Sequence, residues 1–164
     1  MNNRIILTGP AAAGKDFIKS KFRERGFLCD VSYTSRPPRI NEVDGVDYNF
    51  ISKEKFMAWV NDEGFYEWAE HGGHLYGTGN FEWQTSKVFI MEAEGVSKIK
   101  PEDRKTSLVI YIDTPEQIRV RRLLKRGWTI ETINDRKRTD DIKFKDFTNY
   151  DLKIESGADI KIII

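Results

Sequence analysis

A glycine-framed loop, set between an apolar run and an amphipathic stretch, constrains this chain more than any other feature. Gly9-Pro10-Ala11-Ala12-Ala13-Gly14-Lys15-Asp16 follows the run Ile5-Ile6-Leu7. It precedes Phe17, Ile18 and Phe22, which recur at helical spacing before Gly26. That order reads as buried strand, loop and helix. The loop matches G-x-x-x-x-G-K in full and departs at the next position, where Asp16 stands in place of the usual Ser or Thr. Glycines let backbone N–H groups turn inward on a phosphate, and the helix behind adds its positive end. Residues Gly9 to Asp16 are therefore expected to bind ATP, with Lys15 reaching the β- and γ-phosphates. Asp16 reads two ways: as a magnesium ligand, direct or through water, or as a plain carboxylate at a helix N-terminus.

Strand and helix signals alternate along the rest of the chain. Phe27–Ser32, Tyr48–Ile51, Phe65–Ala69, Val88–Met91, Leu108–Ile112, Asp151–Ile154 and Ile160–Ile164 predict strands. Ser52 predicts the cap of a helix covering Phe56 and Val60. Phe81–Ser86 predicts a short helix. Pro115 suits the first turn of a helix carrying Ile118, Leu123 and Leu124, and Ile130–Phe144 a longer charged one. Gly72-Gly73 and Gly77–Gly79 predict loops, and Pro37 and Pro38 bar helix from Ser35–Arg39. Helices alternating with buried strands predict an α/β fold with a mostly parallel central sheet. Ser32–Thr78, with short strands, turns and many aromatics, reads as an insertion folded against that sheet.

Composition narrows the partners. The 164 residues suit one domain, and a formal net charge of +1 supplies no broad basic field for nucleic acid or a membrane surface. Neither partner is expected, so any phosphate must be held by local clusters. Cys29 is alone, which excludes a disulfide framework, and it is expected to be buried as a small hydrophobe. No apolar run approaches the roughly 20 residues of a membrane helix. No leader is expected, and the cytoplasm is the expected location.

A series of motifs follows the loop. Ser32-Tyr33-Thr34-Ser35-Arg36-Pro37-Pro38-Arg39 comes first, then Glu42-Val43-Asp44-Gly45-Val46-Asp47-Tyr48-Asn49-Phe50. Glu63-Gly64-Phe65-Tyr66-Glu67-Trp68-Ala69 and Tyr76-Gly77-Thr78 complete it. In order and spacing they resemble guanylate kinases, from the glycine loop to about Arg138. The resemblance implies a three-layer fold of the P-loop NTPase type. It also implies transfer of the γ-phosphoryl group of ATP to GMP or dGMP, with magnesium. Arg36 and Arg39 would hold the acceptor's phosphate, with Tyr48 and Tyr76 adding phenolic donors. Two guanidinium forks suit a phosphate dianion. Glu67 would accept from guanine N1–H and the N2 amine, a pairing adenine cannot make. Ser32 and Thr78 would lie nearby with hydroxyls free to donate to O6. Aligning Gly95 puts Glu92 on the family's aspartate near the acceptor base and metal; a shifted alignment would choose Glu94.

Between Arg119 and Lys145, ten Lys and Arg stand against four Asp and Glu. The resemblance implies a mobile lid here. Arg126 and Arg136 would be its catalytic arginines and Arg122 an ATP contact, with Arg138 a substitute for Arg136 because, against the family pattern, one residue is deleted between Arg126 and Arg136. The turn Ile154-Glu155-Ser156-Gly157-Ala158-Asp159 departs from the family pattern. The expected division is a core of 1–31, 87–121 and 145–164, an acceptor-binding subdomain of about 32–86, and a lid of about 122–144, in a monomer or homodimer. Two alternatives stand beside this reading. One is a kinase with broader deoxynucleotide acceptors. The other is a binding module that uses the acceptor pocket for a phosphopeptide, for which Trp59, Trp68 and Trp83 could be partner contacts; core packing is the preferred reading of all three.

Overall fold

Ile6 and Leu7 are wholly buried, one on each face of the central sheet, which is why three consecutive apolar residues suffice to start this fold. The computed structural model describes residues 4–155. Its elements run β1 (Arg4–Thr8), α1 (Lys15–Glu24), β2 (Tyr33–Thr34), β3 (Asn49–Phe50), α2 (Lys53–Asn61), β4 (Phe65–His71), β5 (His74–Gly79) and α3 (Asn80–Thr85). After these come β6 (Val88–Ile90), α4 (Ala93–Lys98), α5 (Pro101–Arg104), β7 (Ser107–Asp113), α6 (Glu116–Lys125), α7 (Ile130–Phe144) and β8 (Leu152–Glu155).

The first sheet is parallel in the order β6-β1-β7-β8, with Leu7 level with Ile90 and Ile110. Leu7, Val88, Ile110, Ile112 and Ile154 pack under Ile18 and Phe22 of α1. On the other face Ile6, Phe89 and Val109 pack against Trp83, Met91, Val96 and Ile99. The three layers follow from this two-sided burial. The second sheet, β3-β2-β5-β4, is antiparallel except for β2 and β3. Phe56 of α2 stacks on Phe65 of this sheet at 4.3 Å, and Trp59 of α2 meets Tyr33 at 4.9 Å.

Several expectations are corrected. Phe27–Ser32 forms no regular strand: Cys29 makes one bridge to Val88, while Phe27 and Leu28 lie 40% and 64% exposed. An apolar run at the edge of a parallel sheet has too little cover to continue as a strand. Cys29 itself is half-buried. Gly77–Gly79 lies within β5 and not in a loop. A Cβ on Gly77 would stand 2.9 Å from the Phe65 ring and 3.0 Å from the Phe56 ring, so the glycine admits two aromatics. The helix expected to carry Ile118, Leu123 and Leu124 forms as α6, with Ile118 and Leu124 exposed and Leu123 in the core. Ile160–Ile164 lies outside the described residues. Trp83 is buried, and Trp59 and Trp68 are half-buried against other rings. Among the described residues no helix is long and apolar enough to cross a membrane.

Candidate active site

The loop after β1 is held from three sides. Thr114, just past β7, donates its hydroxyl to Ala13 O at 2.6 Å. Arg122 of α6 donates to Ala12 O and Ala13 O at 2.9 and 3.2 Å. Asp140 of α7 accepts the Ala11 N–H at 2.8 Å. Gly9, at φ +143°, lies so close to β7 that a Cβ would stand 2.6 Å from Ile112 O. Lys15 curls back along the loop and donates to Gly9 O at 2.5 Å and Pro10 O at 3.0 Å. Burial holds its amine below the ordinary value, while the carboxylates of Glu92 and Asp16 pull the other way.

The facing wall is built from side chains. Arg36 is 8% exposed and grips Glu42 with both terminal nitrogens, at 2.9 and 3.0 Å. Glu42 also accepts the Arg39 N–H at 2.7 Å, with the Arg39 guanidinium 3.6 Å away. The arginine pair is thus organised by a carboxylate to which no role was assigned from the sequence. Arg36 Nε is buried and has no partner among the described residues. The Arg36 guanidinium lies 5.5 Å from the Tyr48 ring centre, and that of Arg39 5.7 Å from the Trp128 ring centre.

At the inner end, Glu67 is buried and accepts from Thr78 Oγ1 at 2.8 Å. Its other oxygen occupies space that Gly95 leaves by lacking a Cβ. Burial pushes the Glu67 carboxyl up to about 7, against the Thr78 hydrogen bond. Ser32 donates to Asp30, whose carboxyl burial pushes up to about 6. The hydroxyls of Ser32 and Thr78 are therefore not free: each gives its single proton to a carboxylate. What they keep for a ligand is acceptor capacity.

One cleft brings Ala11, Ala12, Lys15 and Asp16 together with Ser32, Arg36, Arg39, Tyr48, Glu67, Tyr76 and Glu92, and with Arg126 and Arg136. Gly9, Pro10, Ala13, Gly14, Arg122 and Thr78 are not part of this lining, and Pro10 lines a neighbouring pocket with Arg119 and Asp140. Glu92 sits 3.7 Å from Arg136, which also donates to Asp140 at 2.9 Å. Burial works against ionised Glu92, yet Lys15 and Arg136 hold its carboxyl below the usual range. Glu94 pairs outward with Lys98, and Arg138 turns outward toward Asp135. Arg126 is exposed at the cleft and makes no ion pair among the described residues.

Sequence reasoning missed Glu42, His71, Trp128 and Asp140. Glu42 carried a faint signal, an acid three residues after Arg39. His71 falls on the strand period of Glu67 and Ala69 and could have been found by it. Nothing local announces Trp128 or Asp140. Among the described residues no cluster of three or more His, Cys, Asp or Glu could hold a metal by itself. Asp16 and the unpartnered Glu92 Oε2 nonetheless suit magnesium, which takes one or two carboxylates and fills its shell with water and phosphate oxygens.

The family model described as guanylate kinase matches residues 1–158. A guanylate kinase of Thermus thermophilus is 36% identical over 129 residues, which are 74% of this chain and 59% of that protein. One from Halalkalibacterium halodurans is 35% identical over 161 residues, 93% of this chain and 79% of that protein. The chain thus spans about three fifths of the first relative's length. A crystal structure of guanylate kinase from Anaplasma phagocytophilum superposes with a TM-score of 0.71 at 20% identity, covering 98% of this chain and 79% of that one, and so shares the fold.

Proposed function

The chain belongs to the guanylate kinase family, and on that premise we propose that it transfers the γ-phosphoryl group of ATP to GMP or dGMP. The observation that carries this is the convergence of Lys15 with Arg36 and Arg39 on one cleft. An oxygen of the acceptor's phosphate attacks the γ-phosphorus in line. The bond from that phosphorus to the β,γ-bridging oxygen breaks, and ADP leaves with the electron pair. The attacking oxygen is already anionic, so no general base is needed, and catalysis is positioning plus charge neutralisation.

Lys15 exchanges its loop carbonyls for β- and γ-phosphate oxygens, and Arg126 and Arg136 neutralise charge on the moving group. Arg36 keeps Glu42 on its outer edge and offers Nε to the acceptor's phosphate, with Arg39, Tyr48 and Tyr76 beside it. Glu67 reads guanine, and Ser32 and Thr78 shape that end. Asp16, with Glu92, would hold magnesium, which neutralises the β- and γ-oxygens when bound. Residues about 32–86 act as the acceptor-binding subdomain and about 122–144 as the lid. The reaction belongs to the cytoplasm, where both nucleotides occur.

Release of ADP from ATP and magnesium, measured across ribo- and deoxynucleoside monophosphates, tests the reading. GMP and dGMP should exceed AMP by at least ~10²-fold in kcat/KM, since an unpaired buried carboxylate rejects adenine. ADP release independent of the acceptor would defeat it, and comparable rates with dTMP or dCMP would point to the broader kinase.

A further inference from the structure

Glu67, Ala69 and His71 share one face of β4 and all line the cleft. The antiparallel register sets Glu67 beside Thr78, Ala69 beside Tyr76, and His71 beside His74. The row therefore runs from the base-reading end, past the tyrosine on the phosphate side, to His71. There the ring meets charges from two other elements: Glu92 at the start of α4, and Arg136, Asp140 and Lys143 on α7.

His71 is 5% exposed, and its Nδ1 lies 2.7 Å from Lys143 Nζ. An ammonium can only donate, so Nδ1 accepts and the neutral ring carries its proton on Nε2. Burial, reinforced by Arg136 and Lys143 and opposed by Glu92 and Asp140, holds the imidazole down to about 4, so the ring is neutral at working pH. Nε2–H is buried and has no partner among the described residues. A buried donor left unpaired in a native protein calls for a ligand. The cations around it, and its place beyond Tyr76, make that ligand an anionic oxygen.

We propose that His71 is a further catalytic donor, whose Nε2–H hydrogen-bonds a phosphate oxygen where the acceptor's phosphate meets the γ-phosphoryl group. The proposal rests on the kinase reading above. Lys143, donating to the far side of the ring, makes Nε2–H a stronger donor without placing another full charge in the cleft. Because β4 belongs to the acceptor sheet and Lys143 to α7, the contact also ties the two sides of the cleft at the point of transfer.

Two variants and one spectrum test this. His71→Leu should lower kcat about 10²-fold, as loss of one preorganised donor does elsewhere, with KM for ATP little changed. His71→Gln, which carries an amide N–H to similar reach, should recover most of that loss. In the native protein the Nε2 nitrogen and proton resonances of His71 should move when nucleotide binds. Movement with GMP alone identifies the acceptor's phosphate as partner; movement only with a non-hydrolysable ATP analogue and magnesium identifies the γ-phosphoryl group. Resonances unmoved by either nucleotide or by both, or a His71→Leu kcat within about twofold of wild type, overturn the proposal, and in the second case the kinase reading stands. Wild-type protein that releases no acceptor-dependent ADP overturns both. Should His71→Leu fail to fold, His71→Gln and the native spectrum still decide.

Discussion

The two walls of the cleft that are proposed to bind anions are built by opposite means. The donor wall is main chain. Ala13 packs into the core under α1 and Ala12 against Leu123 and Ile133, and Thr114, Arg122 and Asp140 hold the loop from three separate segments. The acceptor wall is side chain, an arginine pair clasping Glu42 in a stretch where Ile40, Val43 and Val46 are 92%, 55% and 50% exposed. A wall of backbone amides depends on the path of its chain, which the burial of Ala12 and Ala13 and the positive φ of Ala12 restrict. A wall of guanidinium groups can be altered one residue at a time, with little cost to the fold. On the proposed reaction, donor binding is accordingly the less adjustable half of this site and acceptor choice the more adjustable half.

The sharpest way to break the comparison is at Lys15, the loop's own cationic side chain. Lys15→Ala should reduce kcat by about 10³-fold or more while thermal unfolding and GMP affinity stay near wild type; retention of a tenth of the turnover would remove Lys15 from the mechanism. Next in size is Arg36→Ala, expected to raise KM for GMP about 10²-fold and leave KM for ATP alone. Equal movement of both constants would mean that the walls are not separable.

Asp140→Ala probes the support of the donor wall. It strips the Ala11 N–H and Arg136 of a shared buried acceptor, so stability should fall by about 1–3 kcal/mol. Turnover should fall with it, by about tenfold if Arg136 loses its orientation. Unchanged kcat and unchanged unfolding would show that the loop holds itself.

The smallest effect concerns Glu67. Its folded-state value of about 7 lies above the ordinary 4.5, so the folded protein binds the proton more tightly than the unfolded chain. That contribution to stability is fully present below 4.5 and is lost as pH rises through 7. Glu67→Gln should therefore stabilise the ligand-free protein at pH 8 by about 1 kcal/mol, roughly 2–4 °C, and not at pH 4. In the wild type, KM for GMP should fall as pH rises through about 7, because guanine needs the carboxylate; in the variant it should be flat. A pH-independent KM in both would take Glu67 out of base reading.

The donor wall was legible because its chemistry is contiguous: eight residues carry the loop geometry, and the apolar run before them can only be a buried strand. The acceptor motifs were legible as an ordered series, yet their working state was not. Only its place three residues after Arg39 hints that Glu42 lies in the arginines' grasp, and nothing in Ser32 and Thr78 announces that each is committed to a carboxylate. Phe27–Ser32 carries strand composition but sits at a sheet edge, where burial, and not propensity, decides. Gly77 looks like a turn and is a gap for two rings.

By itself the sequence determined the strand–loop–helix unit, the alternation that makes a three-layer α/β fold, and the residue types available to hold two phosphates. These rest on local geometry and periodicity, which neighbours along the chain share. Only the tertiary structure decided which charges face one another: Asp140 against Ala11, Glu92 against Arg136, and Lys143 against His71, the last pair 72 residues apart. Burial and electrostatic coupling act through space, and no reading along one chain measures the distance between residues that folding brings together.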